Sequence, residues 1–321
     1  MLIVTEETCK EVVGRADAFT AVEAVFAAMA KGDAYNFPVI REAIGHADAL
    51  YGFKSGFDRA GLVLGLKSGG YWPGNLAKGL TNHQSTVFLF DPDTGQLSAL
   101  VGGNYLTAVR TAAASSISIS HLARKDAKVL GMVGAGHQAA FQLRAAVEQR
   151  DFERVIAWNL HPEKLPALGK VAEEIGLPFE AVEREQLGAE ADVIITITSA
   201  HEALMMRDWV KPGTHLACMG TDTKGKQEID PALIAAATLF TDEIAQSISI
   251  GECQHAIAAG LVATEAITPI GNVINGEHPG RSTDHEITLF DGTGVGLQDL
   301  AVASVAAKLA EKKGKARRIE L

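Results

Sequence analysis

The sequence predicts an α/β protein with a doubly wound parallel sheet, joined to a second, α+β region that comes first in the chain. Two observations predict this fold class. From Lys128 onward, short apolar segments alternate with helical patterns, which is typical of a parallel sheet covered on both faces. Before Lys128, strand-like segments follow one another directly, which is typical of an antiparallel or mixed sheet. A chain of 321 residues is long enough for two such domains.

The first region opens with a predicted helix at residues 18–30, where apolar side chains recur at helical spacing. The sequence DPDTG at residues 91–95 predicts a hairpin turn. A long helix rich in Ala and Ser is predicted at Asn104–Leu122. The strands predicted between these features are residues 38–40, 49–53, 62–66, 85–90 and 97–101.

The second region is predicted to contain one strand after another with helices between most of them. One such helix is residues 162–175, in which Pro162 suits the first helical turn. The last predicted helix, Gly296–Lys312, runs into the basic sequence KKGKARR, which we interpret as a solvated helix end. The predicted strands are Val129–Val133, Arg154–Trp158, residues 179–182, 193–198 and 215–219, and Thr238–Thr241.

Composition and charge exclude several classes of function. The net charge of −10 disfavours non-specific binding to nucleic acid or to an anionic membrane. The three cysteines lie far apart without CxxC spacing, which indicates a reducing compartment and neither a disulfide framework nor a metal site. The N-terminal residues lack the pattern of a signal peptide, and no stretch approaches the roughly 20 apolar residues of a membrane helix. We therefore expect a cytoplasmic protein.

The sequence KVLGMVGAGHQAAFQ at residues 128–142 predicts a dinucleotide-binding loop between a strand and a helix. Gly134 would permit the tight turn, Gly136 would let a pyrophosphate approach the backbone, and Ala139 would let the helix pack on the strand. The N–H groups at the helix N-terminus would then bind the phosphates. The loop residues predicted to bind the cofactor are Gly134, Ala135, Gly136, His137 and Gln138.

The choice between NAD and NADP depends on the end of the second strand, which reads Trp158, Asn159, Leu160, His161. An NAD site usually has an acid there, and an NADP site usually has Arg nearby. Neither is present. Asn159 could bind a ribose hydroxyl without repelling a phosphate, and His161 brings only a partial positive charge. The sequence leaves NADP possible and favours NAD, because it offers no strong phosphate anchor.

Basic residues and one acid are candidates for the chemistry. Arg41, Lys54, Lys67 and Arg110 lie near the ends of predicted strands or in the long helix, but each could equally be a surface or salt-bridged cation. Asp222 follows the strand at 215–219, at the edge of a parallel sheet where ligands bind. It is a candidate general acid/base, although Asp in this position also commonly caps a turn.

Several segments together resemble the ornithine cyclodeaminase/mu-crystallin family over nearly the whole chain. They are LFDPDTGQLSALVGG, LTAVRTAAAS, GMVGAGHQA, HLACMGTDTKGKQEID and ITLFDGTGVGLQDLAVA, together with the strand that ends at Lys67. The resemblance implies a Rossmann-type dinucleotide-binding domain, which we place at residues 113–301. It also implies a substrate-binding and dimerisation domain, placed at residues 1–112 and completed by residues 302–321, through which two subunits form a homodimer.

Members of this family interconvert an amino acid and its imine with a nicotinamide cofactor, so the resemblance implies roles for individual residues. The family's carboxylate-binding cations match Arg41, Lys67 and Arg110, and its catalytic Asp matches Asp222; Lys67 is predicted to be catalytic as well. Asp291 is expected near the cofactor, whereas His83, Glu228 and Asp299 are interpreted as structural. The further residues predicted to bind the cofactor are Thr111, Asn159, His161, Thr198, Met219, Gly220, Gly292 and Thr293.

The segment ADALYGFKSGFDRAG predicts the substrate class. It has Lys54 and Ser55 where many family members have less polar residues, and a further cation suits a second carboxylate. We expect reduction of a dicarboxylate imine to an amino acid, with Asp222 managing the proton on nitrogen. Ornithine cyclodeaminase, alanine dehydrogenase or ketimine reductase are alternatives, although Lys54 would repel the distal ammonium of ornithine. A nicotinamide-dependent binding protein without turnover is a further alternative, against which Asp222 argues.

Overall fold

The computed structural model describes residues 1–320, and no helix within this range is long and apolar enough to cross a membrane. The chain divides into two compact units. The first unit is Met1–Arg110 with Val295–Leu321, and the second is Thr111–Gly294. The boundaries predicted from the sequence lie slightly further along the chain at both places. The second of them would cut the last helix, which the structure assigns as a whole to the first unit.

The strands alternate with helices along most of the chain, and their bounds are as follows. The strands are β1 (Leu2–Val4), β2 (Ala34–Asn36), β3 (Ile40–Ala43), β4 (Leu50–Asp58), β5 (Val63–Tyr71), β6 (His83–Phe90), β7 (Leu97–Gly102), β8 (Val129–Val133), β9 (Arg154–Trp158), β10 (Phe179–Ala181), β11 (Val193–Thr196), β12 (His201–Met205), β13 (His215–Cys218), β14 (Gln227–Ile229), β15 (Thr238–Thr241), β16 (Ile267–Pro269), β17 (Thr288–Asp291) and β18 (Arg317–Arg318).

The α-helices range in length from four to 19 residues. They are α1 (Glu6–Val12), α2 (Arg15–Ala30), α3 (Asn104–Leu122), α4 (His137–Ala146), α5 (Leu165–Glu174), α6 (Arg184–Glu190), α7 (Pro231–Ala235), α8 (Ile244–Ser247), α9 (Gln254–Ala258), α10 (Ile270–Ile274) and α11 (Gly296–Lys312).

The first unit contains a mixed sheet in the order β18-β1-β7-β6-β5-β4-β2, with β3 paired to β4. Strands β4 to β7 form consecutive antiparallel pairs, whereas β1 runs parallel to β7. The turn predicted between β6 and β7 is present, and Asp91 Oδ1 accepts the backbone N–H groups of Asp93 and Thr94. The prediction of sequential hairpins is confirmed.

The strands of this unit differ from the prediction where they carry polar residues. Strands β4 and β5 continue well beyond the predicted residues 49–53 and 62–66, through Lys54 and Lys67. The strand predicted at 38–40 instead starts at Ile40. Charged residues break the apolar pattern from which strands are predicted, and this explains why the prediction stopped early.

Helix α11 packs closely on the sheet of the first unit because glycines leave room for it. A Cβ atom at Gly65 would lie 2.3 Å from the carbonyl oxygen of Phe88 and 3.0 Å from Leu300 Cδ2. A Cβ at Gly56 would come within 3.0 Å of Leu297 Cδ2. These contacts place the N-terminal half of α11 over strands β4 and β5.

The second unit is a Rossmann-type domain around a sheet in the order β10-β9-β8-β11-β13-β17-β15-β16. The pairings of this sheet are parallel among the described residues. The strand order reverses at β8, which lies between β9 and β11, and such a switch point is where ligands bind in open α/β sheets. The predicted doubly wound sheet is confirmed, and it contains two further strands, β16 and β17, that were not predicted.

Three strands of the second unit end earlier than predicted. Strand β10 ends at Ala181 rather than residue 182, β11 ends at Thr196 rather than residue 198, and β13 ends at Cys218 rather than residue 219. Thr198 and Met219 therefore lie in the loops that follow the carboxyl ends of these strands. The strands themselves are buried, which is why they read as continuous apolar runs.

The packing of α11 on the sheet leads to a stability prediction. Gly65→Ala should lower the free energy of unfolding by about 1–3 kcal/mol, because the new methyl group has no room beside the Phe88 carbonyl. Urea unfolding followed by circular dichroism would measure the change. Gly74→Ala is the matched control, since a Cβ there meets nothing within 4 Å, and its effect should stay within about 0.5 kcal/mol. Equal stability of the two variants would contradict the described packing.

Candidate active site

The glycine loop between β8 and α4 contains two glycines with different roles. Gly134 has φ +115°, and a Cβ there would lie 2.7 Å from the carbonyl oxygen of Ile197, so the fold itself requires glycine. Gly136 is the N-cap of α4 in extended conformation, and a Cβ there would meet nothing within 4 Å. The space beside Gly136 thus lies at the helix N-terminus, where unpaired N–H groups attract an anion. Ala139 is fully buried, as its predicted packing role requires.

Asn159 connects the end of β9 to the glycine loop. Its Oδ1 accepts the backbone N–H of Ala135 at 2.9 Å, and its Nδ2 donates to the carbonyl oxygen of His161 at 2.8 Å. His161 Nδ1 lies 3.6 Å from Glu163 Oε1. The structure therefore gives Asn159 a bracing role that the sequence did not reveal. The carboxylate of Glu163 opposes the binding of an additional phosphate beside His161.

A buried acid joins the loops that follow β11 and β13. Glu228 Oε1 accepts the N–H of Thr198 at 2.7 Å, and its Oε2 accepts the N–H of Gly220 at 3.1 Å and the hydroxyl of Thr196 at 2.7 Å. A Cβ at Gly220 would lie 2.5 Å from Glu228 Oε2, so the contact requires glycine. Glu228 therefore has a structural role, as interpreted from the sequence. It fixes the two loops that carry the predicted cofactor residues Thr198 and Gly220.

A second buried acid, Glu252, supports the same turn and was missed from the sequence. Its Oε1 accepts the N–H groups of Glu228 at 2.8 Å and Ile229 at 2.7 Å, and its other oxygen accepts the hydroxyl of Thr221. Burial raises the pKa of both Glu228 and Glu252, and the charge of Glu228 adds to the effect on Glu252. The pair holds the backbone on both sides of Gly220 in place.

Asp222 follows this turn and is paired with a lysine. Lys226 Nζ lies 2.8 Å from Asp222 Oδ1 and also donates to the carbonyl oxygen of Gly220 at 3.2 Å. The hydroxyl of Thr223 is 3.2 Å from the same carboxylate oxygen. The side chain of Asp222 retains 32% of its exposure, so it is oriented by its neighbours and still reachable. No feature of the sequence alone singled out Lys226.

The loop after β17 is fixed by Asp242, which the sequence also did not single out. Asp242 Oδ1 accepts the N–H of Thr293 at 3.0 Å and its hydroxyl at 2.6 Å, while Oδ2 accepts the N–H of Gly294 at 2.8 Å. A Cβ at Gly292 would lie 2.5 Å from Met219 Sδ, so two predicted cofactor residues are in close contact.

Two other residues expected near the cofactor are buried. Asp291, expected on the cofactor side, is fully buried and accepts the hydroxyl of Ser247 at 2.6 Å. Burial raises the pKa of Asp291 to about 7. Thr111, at the start of the second unit, retains 7% of its exposure.

In the first unit, strand register brings three of the predicted cations onto one face of the sheet. Lys54 is the direct cross-strand partner of Lys67, and Arg41 is the partner of Gly52, two residues before Lys54. Because side chains alternate along a strand, Arg41, Lys54 and Lys67 share a face. We call these three residues and Arg110 the cationic cluster.

Two members of the cationic cluster share one buried carboxylate. Lys67 Nζ lies 2.8 Å from Asp299 Oδ2, and Arg110 Nε lies 3.1 Å from Asp299 Oδ1. Arg110 Nη1 donates to Gln298 Oε1 at 2.9 Å. These side chains are at most 8% exposed, and that of Asp299 is fully buried. The interpretation of Asp299 as a pairing residue is confirmed.

The electrostatics of the cluster follow from its burial. Burial lowers the pKa of Lys67 to about 7, an effect that Asp299 opposes and that Arg110 and Lys54 increase. Burial and the same three cations lower the pKa of His83 to about 3, so this imidazole is neutral at pH 7. The cations hold the pKa of Asp299 at about 2, against the effect of its burial.

Ser55 lies apart from the cationic cluster. It follows Lys54 on β4 and pairs with Leu66 on β5, so its side chain points to the opposite face of the sheet. Lys54 and Ser55 are adjacent in sequence, but successive side chains of a strand point to opposite faces of the sheet. Ser55 therefore lies on the opposite face of the sheet from Arg41, Lys54 and Lys67, with which it was predicted to bind the substrate.

The comparisons with known proteins bear on the whole chain. The profile of the Ornithine cyclodeaminase/mu-crystallin family matches residues 1–314. The chain belongs to this family. The prediction made from the sequence segments is therefore confirmed. No group of three or more His, Cys, Asp or Glu side chains that could hold a metal ion occurs in residues 1–320.

Relatives within the ornithine cyclodeaminase/mu-crystallin family include oxidoreductases. Iminosuccinate reductase of Paracoccus denitrificans is 64% identical over 321 residues, which cover 100% of both chains. The crystal structure of that enzyme in complex with NAD+ has a TM-score of 0.97 and covers 100% of this chain and 99% of its own. An archaeal alanine dehydrogenase dimer with bound NAD has a TM-score of 0.94 at 32% identity, and it covers 100% of this chain and 99% of its own.

Proposed function

We propose that this protein is an NAD-dependent reductase that converts iminosuccinate to L-aspartate. The observation that carries the proposal is the cross-strand pair of Lys54 and Lys67, which adds a cation to the face that already contains Arg41. A substrate with two carboxylates suits such a cluster. The full-length identity of 64% to the iminosuccinate reductase of Paracoccus denitrificans supports the same assignment.

The second unit offers the features that NAD requires. The space beside Gly136 and the N-terminus of α4 suit the pyrophosphate, and the loops fixed by Glu228 and Asp242 suit the remainder of the cofactor. The contact between His161 and Glu163 favours NAD over NADP, because an acid there disfavours a further phosphate. When bound, the reduced nicotinamide supplies the hydride.

The first unit supplies the charges that bind the substrate. In this proposal the α-carboxylate is bound by Arg41, Lys67 and Arg110, and the distal carboxylate is bound by Lys54. Arg110 presents a planar guanidinium, which suits a carboxylate better than a point charge does. Lys67 and Arg110 are already desolvated, so their attraction for an anion is screened less than that of surface cations.

In this proposal Asp222 acts as the general acid/base for the imine nitrogen. An iminium carbon accepts hydride more readily than a neutral imine carbon. The barrier is therefore lowered by a carboxylic acid that donates this proton, or by a carboxylate that stabilises the iminium charge. The imine carbon gains the hydride, the nitrogen gains the proton, and the product is the amine of aspartate. Lys226 and Thr223 orient the carboxylate of Asp222 for this role.

We propose in addition that two copies of the chain form a homodimer through the first unit. Tyr35, Ile40 and Phe53 remain 38–53% exposed, and they lie on the face of the sheet opposite the cationic cluster. Exposed apolar residues grouped in this way are typical of an interaction surface. The archaeal alanine dehydrogenase of the same fold is described as a dimer.

The substrate assignment is tested by following NADH consumption with three candidates: iminosuccinate formed from oxaloacetate and ammonia, the imine formed from pyruvate and ammonia, and ornithine. Lys54→Met should lower kcat/KM for iminosuccinate roughly 10- to 100-fold, because a charge-assisted hydrogen bond is worth about 1.5–3 kcal/mol. Its rate with the monocarboxylate imine should change little. Ser55→Ala, next in sequence but on the opposite face, is the matched control. A wild type that prefers the pyruvate-derived imine would contradict the assignment.

The role of Asp222 is tested by Asp222→Asn, which keeps the size of the side chain and removes its proton chemistry. We expect kcat for the imine to fall by about two to four orders of magnitude. Steady-state kinetics at saturating NADH would measure it, with the exposed acid variant Asp208→Asn as control. Turnover near that of the wild type would remove Asp222 from the mechanism.

A substitution at Gly136 tests cofactor binding without disturbing the fold. Gly136→Ala should leave the unfolding midpoint nearly unchanged, because the added Cβ would meet nothing within 4 Å. The same side chain would obstruct the pyrophosphate, so the Kd for NADH should rise at least about tenfold. Fluorescence titration with NADH measures this change, and thermal unfolding provides the control. Unaltered NADH affinity would place the dinucleotide elsewhere.

A further inference from the structure

Asp299 holds two members of the cationic cluster from one position. It lies in the first turn of α11, while Lys67 lies on β5 and Arg110 on α3. Its two carboxylate oxygens contact different partners, Oδ2 at 2.8 Å from Lys67 Nζ and Oδ1 at 3.1 Å from Arg110 Nε. A single buried charge therefore links three elements of the first unit.

We propose that Asp299 is a positioning residue that holds the Lys67 amine in place and orients Arg110 toward the substrate carboxylate. This inference rests on the proposed function, since it supposes that the cationic cluster binds an anionic substrate. Asp299 itself does not touch the substrate in this scheme. Its effect is transmitted through the two cations that it contacts.

The orientation of Arg110 follows from the contacts of its guanidinium. Asp299 accepts from Nε, and Gln298, the preceding residue of α11, accepts from Nη1 at 2.9 Å. Thr107, one turn earlier on α3, lies 3.4 Å from the same Asp299 oxygen. The guanidinium is planar and has five donors, and Nε and Nη1 lie on different sides of it. Bonds from these two atoms therefore fix the orientation of its plane, and with it the direction of Nη2.

The charge of Lys67 depends on the groups that face it. These are Arg110 on α3, Lys54 on β4 and Asp299 on α11, and the nearby His83 on β6 is neutral at pH 7. Among them, only Asp299 favours the charged amine, whereas burial and the neighbouring cations oppose it. Loss of Asp299 would leave Lys67 buried beside two cations, and it would release its proton more readily.

Asp299 does not cancel the attraction of the site for an anion. The cluster has four cations, Arg41, Lys54, Lys67 and Arg110, against one buried carboxylate. Asp299 thus favours the charged form of Lys67 and orients the guanidinium of Arg110, while the cluster as a whole remains positively charged. A substrate with two carboxylates finds enough charge to bind both.

The first test measures the protonation of Lys67 directly. Protein with 13Cε-labelled lysine is titrated by NMR, and the Lys67 signal is identified by its loss in Lys67→Arg. Asp299→Asn should move the Lys67 midpoint to lower pH by roughly one to three units. Gln298→Met is the matched control, because it removes a neutral partner of Arg110, and its Lys67 midpoint should match the wild type. An unchanged midpoint in Asp299→Asn overturns the proposal.

The second test follows catalysis in the same variants. Binding by protonated Lys67 implies that kcat/KM for the imine falls as pH rises through the Lys67 midpoint. In Asp299→Asn this fall should move to lower pH together with the NMR midpoint, while KM for NADH stays unchanged. If the NMR midpoint moves but the pH profile does not, the positioning role in catalysis is overturned. Because the NMR titration needs no turnover, failure of the proposed activity is recognised separately.

A conservative variant covers the case in which Asp299→Asn does not fold. Asp299→Glu keeps the charge but displaces it, so the Lys67 midpoint should stay within about half a unit of the wild type. The KM for the imine should rise at least about threefold as Arg110 is displaced, without a change for NADH. A KM equal to that of the wild type, or a Lys67 midpoint lowered by a unit or more, contradicts the assigned role.

Discussion

The buried contact of Asp299 with Lys67 and Arg110 is the interaction on which the first unit depends most. Removing charged groups from water costs several kcal/mol for each ion unless they are paired in good geometry. Here one carboxylate on α11 pairs with cations from a strand and from another helix. The close approach of α11 to the sheet, permitted by Gly56 and Gly65, brings that carboxylate to the cations. Helix packing and charge placement are therefore two parts of the same arrangement.

The second unit uses buried acids for a different purpose. Glu228, Glu252 and Asp242 accept backbone N–H groups of the loops at the carboxyl ends of the parallel strands. A loop at this edge of a sheet has few backbone partners of its own. The acids supply those partners and so turn irregular segments into fixed ones. In the first unit the buried acid organises side chains, whereas in the second unit the acids organise backbone.

The sequence was informative where one local rule governed the structure. Helices α3 and α11 and strands β8 and β9 have the bounds expected from periodicity and from the glycine motif, because neighbours within a few residues decide them. Contacts between residues far apart in the sequence could not be predicted. Asp299 was expected to pair, but its partners, Lys67 and Arg110, lie about 190 or more residues earlier in the chain and could not be identified. The register that joins Lys54 to Lys67 and sends Ser55 to the other face follows only from the paired strands.

The first unit is formed by two separate segments of the chain, and this affects the order in which the units can fold during synthesis. Strand β1 pairs with β18, and α11 covers the sheet, so residues from Val295 onward complete a unit whose other residues, 1–110, are translated before them. The second unit is continuous in sequence and is fully translated before residue 295 emerges. N-terminal domains usually fold first during synthesis, but here we expect the second unit to fold before the first. Until α11 has been synthesised, Lys67 and Arg110 of the first unit cannot contact Asp299.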